Sequence, residues 1–424
     1  MTKVTIDDRY SRSSLARFGD FLGEHHFAVV TAVLALSVAA GMTFARVKPQ
    51  PEQSRAARSD GNLDRLVGRL FLIGFRGALP SDPGIATVRR ILMEGRAAGV
   101  LFLSRNLPDP DDPEYAEKVK QLTSLIGGSA EPEPIISVDQ EGGYVQRLKG
   151  PLEPLPAANI LGKIEDRETA RRVTRNAGLT AARQLKRLGF NVNFAPVLDI
   201  YRDREERSEL GDDRTDFSLM LHSRSFGDDP DLVGDLGVEI IRAHLDEGIM
   251  PCAKHFPGHG VTGVDSHRDV PLVSVSAANL ADTDLVPFWM GIRNGAPMVM
   301  VSHVVNTLLD PHNPASLSQK VIKKFLRRDL GFNGVVVSDD MTMDAIRKQP
   351  GGSAEAAVRA LKAGVDLLIY AWRDYEYPRA FVRVKQAVQN GEIPRERVLE
   401  AAERVAEFRK RLWNGNSNAK AAAR

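Results

Sequence analysis

A chain of 424 residues, 43% apolar and 26% charged, is long enough for one large barrel or two to three ordinary domains, and too apolar to be largely disordered. Its 57 Lys and Arg against 55 Asp and Glu leave a net charge of +2, which argues against a protein built to hold nucleic acid or coat anionic membranes. The single cysteine, Cys252, excludes an internal disulfide framework and a cysteine-based zinc cluster.

Residues 1–26 form a polar N-terminal segment. They are followed over 27–45 by FAVVTAVLALSVAAGMTFA, a run without a charge. As a helix this run spans roughly 28 Å, the thickness of a bilayer's hydrocarbon, and it has no polar face to turn toward water. It reads as a retained transmembrane anchor rather than a cleaved signal, whose apolar region is about 7–15 residues. The expectation is a single-pass protein of the cytoplasmic (inner) membrane with its following domain outside the cytoplasm. Arg9, Arg12 and Arg17 before the run and Arg46, Lys48, Arg55 and Arg58 after it leave the side open. Residues 46–60, polar with two prolines, read as a linker, and 414–424 read as a disordered tail.

Between them, over 61–413, short apolar runs alternate with helical stretches. The runs are LFLIGF (70–75), VLFLS (100–104), IISVD (135–139), VNFAPVLD (192–199), MPCAKHF (250–256), MVMVSH (298–303), VVVSD (335–339) and DLLIYA (366–371). Continuous apolar runs of this length suit strands buried on both faces of a parallel sheet. The helical stretches include Ala86–Ala98, Arg167–Leu188, Asp231–Glu247, Gln319–Leu330 and Ala354–Ala363. Gly99, Gly189, Gly248, Gly295, Gly331 and Gly364 are placed to end helices in left-handed turns. Neither G-x-G-x-x-G nor a Walker sequence follows the first run, which weighs against a doubly wound sheet. The expected fold class is α/β: a single (β/α)8 TIM-type barrel with enlarged loops, preceded by an N-terminal transmembrane helix.

Barrel chemistry collects at the carboxyl ends of strands. Those ends carry Arg105 and Asn106, Asp139, Asp199, Lys254 and His255, His303, and Asp339 with Asp340. The fifth run continues as AKHFPGHGVTGVDSH (253–267), where proline and glycines bar a helix. In an extended segment Asp265 and His267 share one side, so the carboxylate can orient the imidazole for proton transfer. His255, His259, Asp265 and His267 as zinc ligands are the competing reading, without the spacing of a helical zinc motif. In GFNGVVVSDDMTM (331–343) a carboxylate emerges at the mouth, against the alternative that Ser338 or Asp339 caps the next helix. A nucleophilic carboxylate facing a separate acid suits glycoside hydrolysis, which usually employs two carboxyl groups. In ISVDQEGGYVQRLKGP (136–151), Asp139 and Arg147 can grip sugar hydroxyls.

Together these segments resemble family 3 glycoside hydrolases, specifically the bacterial β-N-acetylglucosaminidase branch that carries KHFPGHG followed by D-S-H. The resemblance covers most of residues 65–375, including VLFLSRN, SVDQEGGYVQR, VNFAPVLD, RSFGDDP and SHV. It implies Asp339 as nucleophile, His267 as general acid/base and Asp265 as its orienting partner. It also implies Asp139, Arg147, Arg224, Lys254 and His255 as ligands of an N-acetylglucosamine unit. The implied activity is retaining hydrolysis of terminal β-1,4-linked N-acetylglucosamine from muropeptides or chitooligosaccharides, with no metal or organic cofactor and no nucleic-acid partner. Tyr144 stands where the family usually has arginine, and the stretch from Asp199 to Arg224 is longer than in compact relatives. Two alternatives stand on the same residues. A phosphorylase would use a histidine acid to spare an incoming phosphate like-charge repulsion. A non-catalytic glycan-binding barrel would bind without turnover.

Overall fold

A computed structural model describes residues 63–201, 222–259, 271–273 and 280–422. Eight parallel strands close on themselves in chain order: β1 (Phe71–Ile73), β2 (Gly99–Phe102), β3 (Ile135–Val138), β4 (Val192–Asn193), β5 (Met250–Phe256), β6 (Met298–Val301), β7 (Val335–Asp340) and β8 (Leu367–Tyr370), with β8 pairing back onto β1. The crossovers are helical: α1 (Pro83–Met93), α2 (Tyr115–Gly127), α3 (Arg167–Arg187), α4 (Pro230–Glu247), α5 (Leu285–Arg293), α6 (Lys320–Asp329) and α7 (Gly352–Ala363). After β8 come α8 (Tyr377–Gln389) and α9 (Arg395–Ala422), the last continuing through most of the stretch expected as a tail.

Local chemistry accounts for the boundaries. Asp229 caps α4 by accepting from the N–H groups of Asp231 and Leu232; Pro230 opens the first turn and Gly248, at φ 80°, ends it. Gly99 does not end a helix as expected. It lies in β2, where a Cβ would stand 2.1 Å from the Ile135 carbonyl oxygen, and the positive-φ residue after α1 is Gly95. The fourth strand is shorter than its apolar run, because Pro196 offers no N–H to the ladder; a single bridge, Val197 to Lys254, continues the pairing.

Alternate strand residues fill the lumen: Leu72, Leu101, Val192, Cys252, Met298, Met300, Val335, Val337, Leu367 and Ile369 form one cluster. Val405, Phe408 and Leu412 of α9 join that cluster and plug the barrel's amino-terminal end. The outward residues, with Phe71, Phe102, Val138 and Phe256 among them, pack under the helices. With the floor closed, the carboxyl-terminal mouth is the face left for chemistry.

The expected membrane helix and inner-membrane location require correction. Among the described residues no helix is long and apolar enough to cross a membrane, and 27–45 lie outside those residues. Among the described residues the architecture is a closed eight-stranded barrel with its helices.

Candidate active site

Two single-residue bulges shape the mouth. Between Ala253 and Phe256, β5 advances three residues while β6 advances two; between Val337 and Asp340, β7 does the same against β8. A bulge breaks the strict in–out alternation and re-aims side chains. The bulged residues are Lys254 and His255 in one strand and Ser338 and Asp339 in the other; Lys254, His255 and Asp339 are among the residues the sequence singles out for chemistry.

At the first bulge Lys254 is buried with its ammonium 2.7 Å from Asp139 Oδ1 and 2.7 Å from Glu141 Oε1. Arg224 meets the same glutamate in a fork, donating Nε and Nη2 to its two oxygens at 2.8 Å each. Burial opposes every charge here, but the partners outweigh it. Arg224 and Lys254 hold the Glu141 carboxyl far below its usual range, and Asp139 and Glu141 hold Lys254 above its own. Next to this cluster His255 Nδ1 lies 2.6 Å from Asp199 Oδ2, and the His259 N–H donates to Asp199 Oδ1 at 2.8 Å. Burial would raise the Asp199 carboxyl, yet the two histidines bring it below its ordinary value. Arg224 Nη2 approaches His255 Nε2 at 3.4 Å. His259 stacks edge-on against His255 with ring centroids 5.3 Å apart, and burial pulls its imidazole down to about 4.

Asp339 emerges from β7, two strands on from Lys254 and His255 and opposite the end of β3 that carries Asp139. The Asp340 N–H donates to Asp339 Oδ1 at 2.8 Å. Asp340 in turn is clamped: its carboxylate accepts from the N–H groups of Thr342 at 3.0 Å and Trp372 at 2.7 Å, and its carbonyl oxygen lies 3.1 Å from His303 Nε2. A carbonyl only accepts, so Nε2 carries the proton and Nδ1 takes one from Ser316 at 2.8 Å. The helix-capping alternative fails, because Ser338 Oγ accepts the Ile369 N–H and the next helical turn begins only at Asp344.

Asp139, Lys254, His255 and Arg224 are thus brought into one cluster, with Asp339 across the mouth. Arg147 follows the hairpin formed by Gln140–Gly142 and Val145–Gln146, and its Nε is buried with no hydrogen-bond partner. Asp265 and His267 lie outside the described residues. Among the described residues no group of three or more His, Cys, Asp or Glu is placed to hold a metal ion. Asn106, also at a strand end, is a local staple: it accepts the Leu103 N–H and donates to Phe75 O. A mainly apolar cavity of about 30 Å³ lies behind Glu141 and Arg224, against Ile240 and His244 of α4. It has room for little more than water, and the open mouth is the better reading of the site. Glu141 escaped sequence reasoning although it stands two residues after Asp139. Its one signal is that a glutamate directly before Gly142-Gly143 in a strand-end turn needs a buried cation, and those cations are distant in sequence.

The family described as glycosyl hydrolase family 3 N terminal domain matches residues 65–408. Among curated proteins the chain is similar to a beta-hexosaminidase of Thiobacillus denitrificans, 36% identical over 283 residues, covering 66% of this chain and 73% of that one. It is likewise 35% identical over 281 residues to a beta-hexosaminidase of Neisseria meningitidis, covering 66% and 72%. Among solved structures it superposes on a family 3 beta-N-acetylglucosaminidase from a Paenibacillus species with TM-score 0.72 and 34% identity, covering 82% of this chain and only 62% of that one. A beta-N-acetylhexosaminidase from Beutenbergia cavernae gives 0.69 and 27%, covering 82% and 98%.

Proposed function

This chain belongs to glycoside hydrolase family 3 and is a glycoside hydrolase, and from that premise we propose that it is a retaining exo-β-N-acetylglucosaminidase acting on peptidoglycan fragments or chitooligosaccharides. The Asp339 carboxylate attacks the anomeric carbon as His267, oriented by Asp265, gives its proton to the departing glycosidic oxygen. The C–O bond to the leaving group breaks and a glycosyl–aspartate ester forms. Water, deprotonated by the same histidine, then attacks that carbon, releases Asp339 and restores the β configuration. Asp139, Arg147, Arg224, Lys254 and His255 hold the terminal sugar.

The observation that carries the reading is the division of the mouth. A carboxylate held by a backbone N–H at 2.8 Å stands on β7, and the charge-balanced cluster of Lys254 and Arg224 with Asp139 and Glu141 lies on the arc of β3 to β5. Charged hydrogen-bonding groups suit hydroxyl and acetamido recognition, and a separate nucleophile suits displacement at carbon. The test is product analysis with chitobiose in phosphate buffer, followed from the first turnover. The expected product is free β-N-acetylglucosamine, with activity unchanged by chelators. N-acetylglucosamine 1-phosphate as the product would replace hydrolysis by phosphorolysis. Binding without turnover would leave a lectin.

A further inference from the structure

Trp372 is a large aromatic left 62% exposed immediately after β8, beside the strand that carries Asp339. The backbone that carries it is held: the Trp372 main-chain N–H donates to Asp340 Oδ2, and the following residue is tied down as well, with Arg373 N–H on Thr342 Oγ1 at 3.2 Å and Arg373 Nη1 on the Thr342 carbonyl at 2.7 Å. The Arg105 guanidinium lies over the indole, 5.8 Å from the ring centroid. That guanidinium is itself held by the carbonyls of Phe75, Ala371 and Trp372 and by Asp374. One face of the ring is thereby braced on a fixed cation, and the residue otherwise opens to solvent. An exposed aromatic ring on a well-held backbone at the rim of a site suits a partner with a flat apolar face.

We propose that Trp372 is the platform for the leaving-group sugar, a subsite that takes the C–H face of a pyranose beyond the scissile bond; this rests on the glycosidase reading above. The barrel's order supports it. The groups assigned to the terminal sugar stand on β5 or in the connections after β3 and β4, and β7 lies diametrically opposite β3. A sugar spanning that gap with its anomeric carbon at Asp339 has its inner arc filled. The leaving group exits outward through the open mouth, and the rim beside the nucleophile's strand carries the indole that follows β8.

The experiment compares Trp372→Ala, Trp372→Phe and the parent enzyme on two substrates: chitobiose, with a sugar leaving group, and N-acetylglucosaminyl fluoride, with none. Trp372→Ala is expected to lower kcat/KM on chitobiose about tenfold, mostly through KM, and to leave the fluoride within about twofold. Trp372→Phe should recover most of the loss. Equal losses on both substrates, or no loss on chitobiose, would overturn the subsite. Asp339→Ala separates this from the underlying reading: turnover of the fluoride by that variant would remove the nucleophile assignment itself.

Discussion

The two ends of the barrel each bury a carboxylate among cations, and they do so to opposite purpose. At the floor, Asp366 is fully buried among Arg327, Arg397 and Arg404 and accepts the Val336 N–H at 3.0 Å. Its arginines also donate to backbone carbonyls: Arg327 to Phe332 and Gly334, Arg397 to Leu361 and Val365. The floor network is directed inward at the chain itself, beneath the α9 plug. At the mouth, Glu141 gathers Lys254 and Arg224 in a comparable knot, but it adjoins an open face, and Arg147 nearby keeps a buried Nε without an acceptor. Similar residue types serve stability at one end and recognition at the other. What differs is whether their hydrogen bonds close on the protein or leave capacity for a ligand.

The contrast can be broken most severely at Asp339. Asp339→Ala should reduce turnover by about a thousandfold or more with little change in thermal stability, read by steady-state kinetics beside calorimetry. Retained activity would move the nucleophile elsewhere. His267→Ala should cost about 10²–10⁴-fold on chitobiose and much less on an activated aryl glycoside, whose leaving group needs little protonation. Equal losses on both would remove the acid role.

The knots themselves can be compared by paired substitutions. Asp366→Ala and Glu141→Ala each strand buried arginine charge and should each cost about 3–5 kcal/mol of unfolding free energy in denaturant titrations. Only Glu141→Ala should also raise KM; a matching rise in Asp366→Ala would erase the distinction between the two ends.

The smallest effect is the pH response. His244 sits behind the mouth with Nδ1 donating to Ile240 O and Nε2 accepting from Asn193, and burial pulls its imidazole down to about 4. Between an unfolded value near ~6.5 and the folded one, the unfolded chain binds a proton that the folded chain refuses. This contribution is therefore fully present above that window and is lost as pH falls through it toward 4. His244→Gln, which still offers Asn193 an acceptor, should flatten the fall of Tm with acidification. An unchanged slope would assign the acid sensitivity to other groups.

Much of the barrel was legible because it is written locally. Apolar runs, most of them preceded closely by glycine, mark the strands, and seven of the eight expected runs hold strands of three residues or more. The fourth was misjudged in length because the proline's missing N–H outweighed the apolar pattern. The Lys254–Asp139 pairing and the Arg224–Glu141 fork were not legible, since their partners stand 115 and 83 residues apart. The bulges that aim Lys254, His255 and Asp339 depend on neighbouring strands, and no single segment announces them. For the uncharged run over 27–45, hydropathy alone suggested an anchored protein; the run lies outside the described residues, and no membrane-crossing helix stands among those.

The central claim is that Asp339 forms a bond to the sugar. Incubation with 5-fluoro-N-acetylglucosaminyl fluoride, which slows release of the ester, followed by intact-mass and peptide analysis, tests it directly. One glycosyl adduct per chain is expected, on the peptide that carries Asp339, and none in Asp339→Ala. An adduct on another side chain, or steady consumption of the reagent with no adduct, would contradict it.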